Sequence, residues 1–203
     1  AGCAVVMKPS EVTPLGVHEI VKAWREEIGG PDILGSVTGT AATAESLIDH
    51  SGFIGFTGSD RVGKMVMKRA AETLTPVSLE LGGKDPMIVM DGSNIERAAN
   101  AAAFGGMMNS GQICMSVERI YVEEPAYDEF VTRLTDSVKE LRQGPDKVAG
   151  ESEVGAMTTP TQTDHVEKQV NEAISQGARA LTGGKRVDGP GDYYEPTVLV
   201  DVD

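Results

Sequence analysis

One cysteine stands where it could act as a nucleophile. Asn109-Ser110-Gly111-Gln112-Ile113-Cys114 places Cys114 behind a small, flexible, glycine-containing stretch. Small neighbours give a thiol access, and the amides of such a stretch could hold the oxyanion formed when a thiolate adds to a carbonyl. The plainer reading is an inert, buried cysteine, the usual fate of a free thiol. Upstream, Glu80 closes an apolar run and leads into Leu81-Gly82-Gly83-Lys84. A carboxylate at the end of an apolar strand is awkward unless it is used or paired. Burial would raise its pKa and suit it to general-base work; an ion pair with Lys84 is the competing account.

Two further pieces could hold a phosphate-bearing ligand. Phe56-Thr57-Gly58-Ser59 reads as a strand end, a glycine turn and the start of a helix. Free amides and the helix dipole make such a junction an anion site, and glycine lets the ligand come close. An ordinary strand-to-helix turn would look the same, and the spacing is not that of the GxGxxG dinucleotide fingerprint. Lys8-Pro9-Ser10-Glu11 directly follows the first apolar run. In open α/β sheets ligands bind beyond the carboxyl ends of strands, where a lysine and an acid could hold ribose hydroxyls. A surface loop feeding a helix is the alternative.

The elements that must position these residues alternate along the chain. Strands are predicted over 4–7, 33–37, 53–56, 77–81, 87–90, 118–123, 178–181 and 197–202. Between them fall a helix opened by Thr13-Pro14 and closed by Gly29-Gly30, then helices over 42–49 and 60–74. Ser93-Asn94-Ile95-Glu96 has capping-box spacing and should start another. The clearest helix covers 125–143, with Tyr127, Phe130, Val131, Leu134, Val138 and Leu141 on one face. A polar Gly/Pro/Asp stretch follows, then a helix over 161–176. Such alternation argues an α/β architecture with parallel sheets. The boundary between two domains is expected near Gly82-Gly83.

Composition narrows the function classes. The 203 residues carry 18 Lys and Arg against 31 Asp and Glu, a net charge of −13. A chain this acidic repels a polyphosphate backbone, which argues against nucleic acid as partner. No apolar run reaches the roughly 20 residues that span a bilayer, and no signal peptide is visible. Two cysteines, Cys3 and Cys114, make no disulfide framework and suit a reducing, cytoplasmic setting. His18, His50 and His165 are scattered and show no metal-ligand spacing. The chain starts at Ala1, close to one predicted strand, and stops just after another. A piece cut from a longer protein would do the same.

Taken in order, these pieces resemble the aldehyde dehydrogenase superfamily. The resemblance runs from Gly2-Cys3-Ala4-Val5-Val6-Met7-Lys8-Pro9-Ser10-Glu11 through Phe56-Thr57-Gly58-Ser59, Glu80-Leu81-Gly82-Gly83-Lys84 and Gly111-Gln112-Ile113-Cys114 to Tyr194-Glu195-Pro196-Thr197-Val198. It implies part of a Rossmann-like cofactor domain over residues 1–81 and part of an α/β catalytic domain over 82–203. It further implies that Cys114 attacks an aldehyde carbon, that its amide and an asparagine side chain hold the oxyanion, that hydride passes to NAD or NADP, and that Glu80 activates water against the thioester. Lys8 and Glu11 resemble the ribose-binding pair, Gly58 and Ser59 the pyrophosphate turn, and Gly39 a glycine lining the adenosine side. Leu81 is grouped with these cofactor residues.

The family's oxyanion asparagine would precede residue 1, and its nicotinamide-ribose glutamate would follow Asp203. The chain alone is therefore expected to be inactive, and the parent to be a homo-oligomer, a dimer or tetramer. Cys3 stands where the family commonly has asparagine. Cys114-Met115-Ser116-Val117-Glu118-Arg119 resembles a branch containing succinate-semialdehyde dehydrogenases. Two other readings stand beside this one: a CoA-acylating aldehyde dehydrogenase, for which Glu80 would not be needed, and a non-catalytic binding or structural protein that kept the fold.

Overall fold

The computed structural model describes residues 2–145, 148 and 150–202. The expected domain ends Ala1 and Asp203, and Asp146 of the polar stretch, lie outside the described residues. The chain divides into two compact units, Ala1–Gly82 and Gly83–Asp203.

The first unit holds two parallel strand pairs. β1 (Val5–Met7) pairs with β2 (Leu34–Ser36) across helix α1 (Leu15–Lys22) and a π-helical turn, Ala23–Glu27. Pro14, not Thr13, is the residue before α1, and it makes no side-chain cap bond, so the expected threonine cap is not formed. Helix α2 (Ala41–Asp49) follows. β3 (Ile54–Thr57) then pairs in parallel with β4 (Val77–Glu80) across α3 (Asp60–Ala71), in the register Ile54↔Val77 to Thr57↔Glu80.

A parallel pair needs such a crossover helix, and α3 supplies it by turning Val66 and Ala70 inward. These pack with Ile48 and Ile54 against Phe56, Val62, Val77 and Leu79. Arg69 of α3 reaches Asp49 of α2 with two hydrogen bonds of 2.7 Å, fixing the two helices to each other. α3 ends at Ala71 rather than at Leu74, because Leu74 takes a left-handed conformation (φ 55°) that breaks the helix.

In the second unit, β5 (Asp85–Val89) and β6 (Val117–Val122) form the third parallel pair, with α4 (Ile95–Met107) as crossover. α5 (Glu124–Lys139) lies on α4. Ala99, Ala102 and Ala103 make α4 thin enough for Phe130, Leu134 and Val138 of α5 to pack closely with Val89. The cap of α4 is Asn94, whose side chain accepts from the Arg97 amide at 2.9 Å, one residue later than the predicted Ser93. α5 stops at Lys139, short of Gln143. There the chain turns to meet a later segment: the Glu153 amide donates to the Arg142 carbonyl at 2.9 Å. α6 (Pro160–Ser175) is capped by Thr159 and leads to β7 (Arg179–Thr182) and β8 (Val198–Val200).

The α/β class with parallel pairing holds for the first three pairs. β7 and β8 are antiparallel, a departure from an all-parallel expectation. Among the described residues, no helix is long and apolar enough to cross a membrane.

Candidate active site

In the first unit the carboxyl ends of the strands carry the expected ligand-binding residues. Lys8 follows β1. Its Nζ donates to the carbonyls of Pro9 (2.7 Å) and Gly39 (2.9 Å) and lies 3.6 Å from the Glu11 carboxylate. Lys8 is thus mostly covered and pinned, whereas the Glu11 side chain is 62% exposed. A backbone hydrogen bond, and then the Lys8 charge, hold the Glu11 carboxyl below the usual carboxylate range. Gly39 needs to be glycine on two counts. Its φ is 147°, and a Cβ there would run into the Thr43 side chain.

Gly58 and Ser59 sit where β3 turns into α3. The Gly58 amide donates to the Glu80 carbonyl at 3.0 Å, and a Cβ on Gly58 would stand 2.6 Å from the Phe56 ring. Ser59 is the N-cap of α3, its Oγ accepting from the Val62 amide at 3.4 Å. Leu81 packs on α3: a Cβ on Gly63 would come within 2.7 Å of its Cδ2. The unit therefore joins Lys8, Glu11 and Gly39 in one cluster, and Gly58, Ser59, Glu80 and Leu81 around one strand-to-helix junction.

Glu80 differs from its expectation in one respect. It is exposed, not buried. Along β4, Val77 and Leu79 turn to the core and Ser78 and Glu80 turn away, so strand alternation puts the carboxylate on the outer face. The alternative partner Lys84 is engaged elsewhere, in an ion pair with Glu118 at 2.6 Å.

In the second unit Cys114 is exposed. The Ser116 amide donates to the Ile113 carbonyl at 3.1 Å, which closes a turn with Cys114 and Met115 at its corners. The preceding stretch is not loose, contrary to the expectation of flexibility. Asn109, Ser110 and Gly111 all have positive φ (52°, 58° and 72°), making a short left-handed turn. That conformation costs roughly 1–2 kcal/mol for each residue with a Cβ, less for asparagine, which tolerates it better than most.

Side chains offset the cost. The Asn109 carbonyl accepts from the Gln112 amide (3.2 Å) and from Gln112 Nε2 (3.1 Å), and Asn109 Nδ2 donates to the Gln112 carbonyl (3.2 Å). At about 1 kcal/mol per net hydrogen bond, three such bonds are of the same size as the strain. Gln112 Oε1 also accepts from the amide and hydroxyl of Thr158, both at 2.9 Å, and Ser110 Oγ donates to the Gly155 carbonyl at 3.0 Å. On the far side of Cys114, Ser116 is buried. It donates to the carbonyls of Gly105 (3.1 Å) and Gly106 (3.4 Å) near the end of α4.

The bonding roles of Gln112, Ser116 and Thr158 were not foreseen from the sequence. The only signal for them was the position of Gln112 and Ser116, each two residues from Cys114. Among the described residues, no group of three or more His, Cys, Asp and Glu side chains is placed to hold a metal ion.

Comparison with known proteins covers the chain from end to end. The family model described as "Aldehyde dehydrogenase family" matches residues 1–203. Lactaldehyde dehydrogenase of Escherichia coli (strain K12) is 37% identical over 99% of this chain and 43% of its own length. Glutarate-semialdehyde dehydrogenase of Pseudomonas putida is 34% identical over 100% of this chain and 42% of its own. The crystal structure of the Escherichia coli lactaldehyde dehydrogenase superposes with a TM-score of 0.93 over 98% of this chain and 43% of that one. Betaine aldehyde dehydrogenase from Staphylococcus aureus, solved in complex with NAD+, gives 0.90 at 33% identity, over 100% of this chain and 41% of that one. The chain thus spans roughly two-fifths of the length of the relatives it matches.

Proposed function

The chain belongs to the aldehyde dehydrogenase family, and on that premise we propose that the protein carrying it oxidises an aldehyde to a carboxylate with NAD or NADP, using Cys114 as nucleophile and Glu80 as general base. The observation that carries the reading is Cys114 itself, an exposed thiol at the corner of a turn whose two flanks are hydrogen-bonded in place. Cys3 is exposed as well, so what sets Cys114 apart is the left-handed, hydrogen-bonded approach to it.

Residues 1–81 are the cofactor side in this reading and 82–203 the catalytic side. Their residues suit a nucleotide. Gly39 leaves room for the Thr43 side chain while its carbonyl fixes Lys8, and Glu11 offers an exposed carboxylate to ribose hydroxyls. Gly58 and Ser59 open the amino end of α3, where amides and the helix dipole favour a pyrophosphate. When bound, the nicotinamide supplies the hydride acceptor.

The chain's own residues do the rest. The Cys114 thiolate forms a C–S bond to the carbonyl carbon, and the Cys114 amide is the oxyanion donor this chain supplies. Once the aldehyde carbon is at the acyl oxidation level, the group on sulfur is a thioester. Glu80 takes a proton from water, the oxygen adds to the acyl carbon, and the C–S bond breaks to return the thiolate. The relatives' names include lactaldehyde, glutarate semialdehyde and betaine aldehyde. Small aldehydes with a polar or charged end are therefore the substrate class to try first. The test is reduction of NAD or NADP by the whole protein with such aldehydes. It should be aldehyde-dependent and abolished by Cys114→Ala; turnover that survives the substitution removes Cys114 from the reaction.

A further inference from the structure

We infer that Gln112 and Ser116 are positioning residues that hold the Cys114 turn in one arrangement through acylation, Gln112 by clasping it to Thr158 and Ser116 by docking it on the end of α4. The inference rests on the reading of Cys114 as the nucleophile and adds how its thiol and amide are kept in register.

The geometry is two-sided. Two residues before Cys114, the Gln112 amide group uses both of its ends. Oε1 takes the N–H and O–H of Thr158, and Nε2 gives to the carbonyl of Asn109. One side chain thus links the left-handed turn Asn109–Gly111 to a segment 46 residues further on. Two residues after Cys114, Ser116 satisfies carbonyls that the last turn of α4 leaves without helical partners. Glycines make that docking possible. A Cβ on Gly105 would stand 2.9 Å from Val117 Cγ2, and one on Gly106 would stand 3.1 Å from the Val117 carbonyl. Between the two anchors only Ile113, Cys114 and Met115 remain, closed by the bond from the Ser116 amide to the Ile113 carbonyl. With both flanks bonded, the Cys114 amide has little freedom to rotate away from a developing oxyanion.

Two reactions of the same thiol separate positioning from mere reactivity. Acylation by an aldehyde, with NAD or NADP present to take the hydride, needs the thiolate and a placed amide, whereas alkylation by iodoacetamide needs only an exposed thiolate. In the whole protein, Gln112→Met keeps the side-chain volume and removes all three bonds. Formation of the Cys114 acyl-enzyme in a single turnover should slow about 10- to 100-fold, the scale of a misplacement of about 1 Å. Iodoacetamide labelling of Cys114, separated from Cys3 by peptide mass, should stay within about threefold and keep its pH profile. Gln112→Glu keeps the acceptor for Thr158 but sets a carboxylate oxygen against the Asn109 carbonyl, so acylation should again fall more than labelling when both are compared at a pH where the thiol is fully ionised. Thr158→Ser keeps both donors and should acylate like wild type.

Acylation at the wild-type rate in Gln112→Met overturns the inference. So does an equal fall in acylation and labelling. If Gln112→Met does not fold, an unimpaired Gln112→Glu overturns it instead. Failure of the underlying reading is visible separately, in wild type, as no aldehyde-dependent acylation of Cys114.

Discussion

The amide of Gly58 donates to the carbonyl of Glu80 at 3.0 Å, extending the parallel ladder one step past Thr57↔Glu80. The glycine turn and the glutamate therefore share the carboxyl edge of one strand pair, the edge where α/β sheets receive ligands. A residue so placed and exposed can serve a reaction without contributing to the core of its unit. Replacing it should change chemistry and leave folding alone. In the whole protein, Glu80→Gln should slow thioester hydrolysis by roughly two to four orders of magnitude, the usual worth of a positioned base. The acyl-enzyme on Cys114 should then accumulate as a mass increase. Normal turnover in this variant would remove Glu80 from the mechanism.

Gly39 should be the least replaceable glycine of the first unit. Its φ of 147° is strained for any side chain, its Cβ would strike Thr43, and its carbonyl holds Lys8. Gly39→Ala should lower stability by about 1 kcal/mol or more, beyond what alanine gains by stiffening the unfolded chain. Nucleotide binding should weaken with it as Lys8 shifts. Gly55→Ala is the control, since Gly55 faces open space with no strained φ. Urea midpoints of the two variants decide the matter, and a Gly39→Ala midpoint no lower than that of Gly55→Ala would refute the account.

Much of this arrangement was legible in the chain because it is local. The helix start after Phe56-Thr57-Gly58-Ser59 and the spacing by four of Val62, Val66 and Ala70 give α3 and its inward face, though not the capping role of Ser59. The run from Val77 to Glu80 reads as a strand for the same reason. What could not be read depends on partners far along the chain. Gln112 is clasped by Thr158, 46 residues further on, and α5 ends shortly before Arg142 meets Glu153, a pairing that the periodicity of the helix does not announce. The exposure of Glu80 follows from strand alternation, which the sequence does show: its apolar neighbours Val77 and Leu79 report only the environment of the opposite face. The antiparallel β7–β8 pair escaped because short apolar runs carry no mark of direction.

Cofactor choice should turn on Glu11. Its carboxyl is held below the usual range, first by a backbone hydrogen bond and then by Lys8, so at neutral pH it is charged. A charged carboxylate beside a ribose accepts a hydrogen bond from a 2′-hydroxyl and repels a 2′-phosphate. The whole protein should prefer NAD, and Glu11→Gln should shift the ratio of kcat/KM toward NADP by on the order of tenfold. Equal kcat/KM for the two cofactors in wild type, or an unchanged ratio in the variant, would defeat the proposal.

Acid should loosen the tie between Arg142 and Glu153, just ahead of Thr158, before it reaches the Gln112 clasp. Hydrogen bonds from the side chain and then the amide of Arg142 lower the Glu153 carboxyl to about 2, from an ordinary 4.5. Since the folded value lies below the unfolded one, the Arg142–Glu153 tie contributes fully above 4.5 and is lost as pH falls through about 2. Carbon NMR of the Glu153 carboxyl should therefore show a midpoint near 2, and Arg142→Ala should return it toward 4.5. Two amides then report separately. That of Arg142 donates to the Glu153 carboxylate at 2.8 Å and should lose its protection from hydrogen exchange over that range. That of Thr158 donates to Gln112 Oε1, a neutral amide oxygen that does not titrate there, and should keep its protection as long as the unit stays folded. Loss of both together would mean that the acid transition is global unfolding. A Glu153 midpoint near 4.5 would mean that the tie to Arg142 does not form in solution.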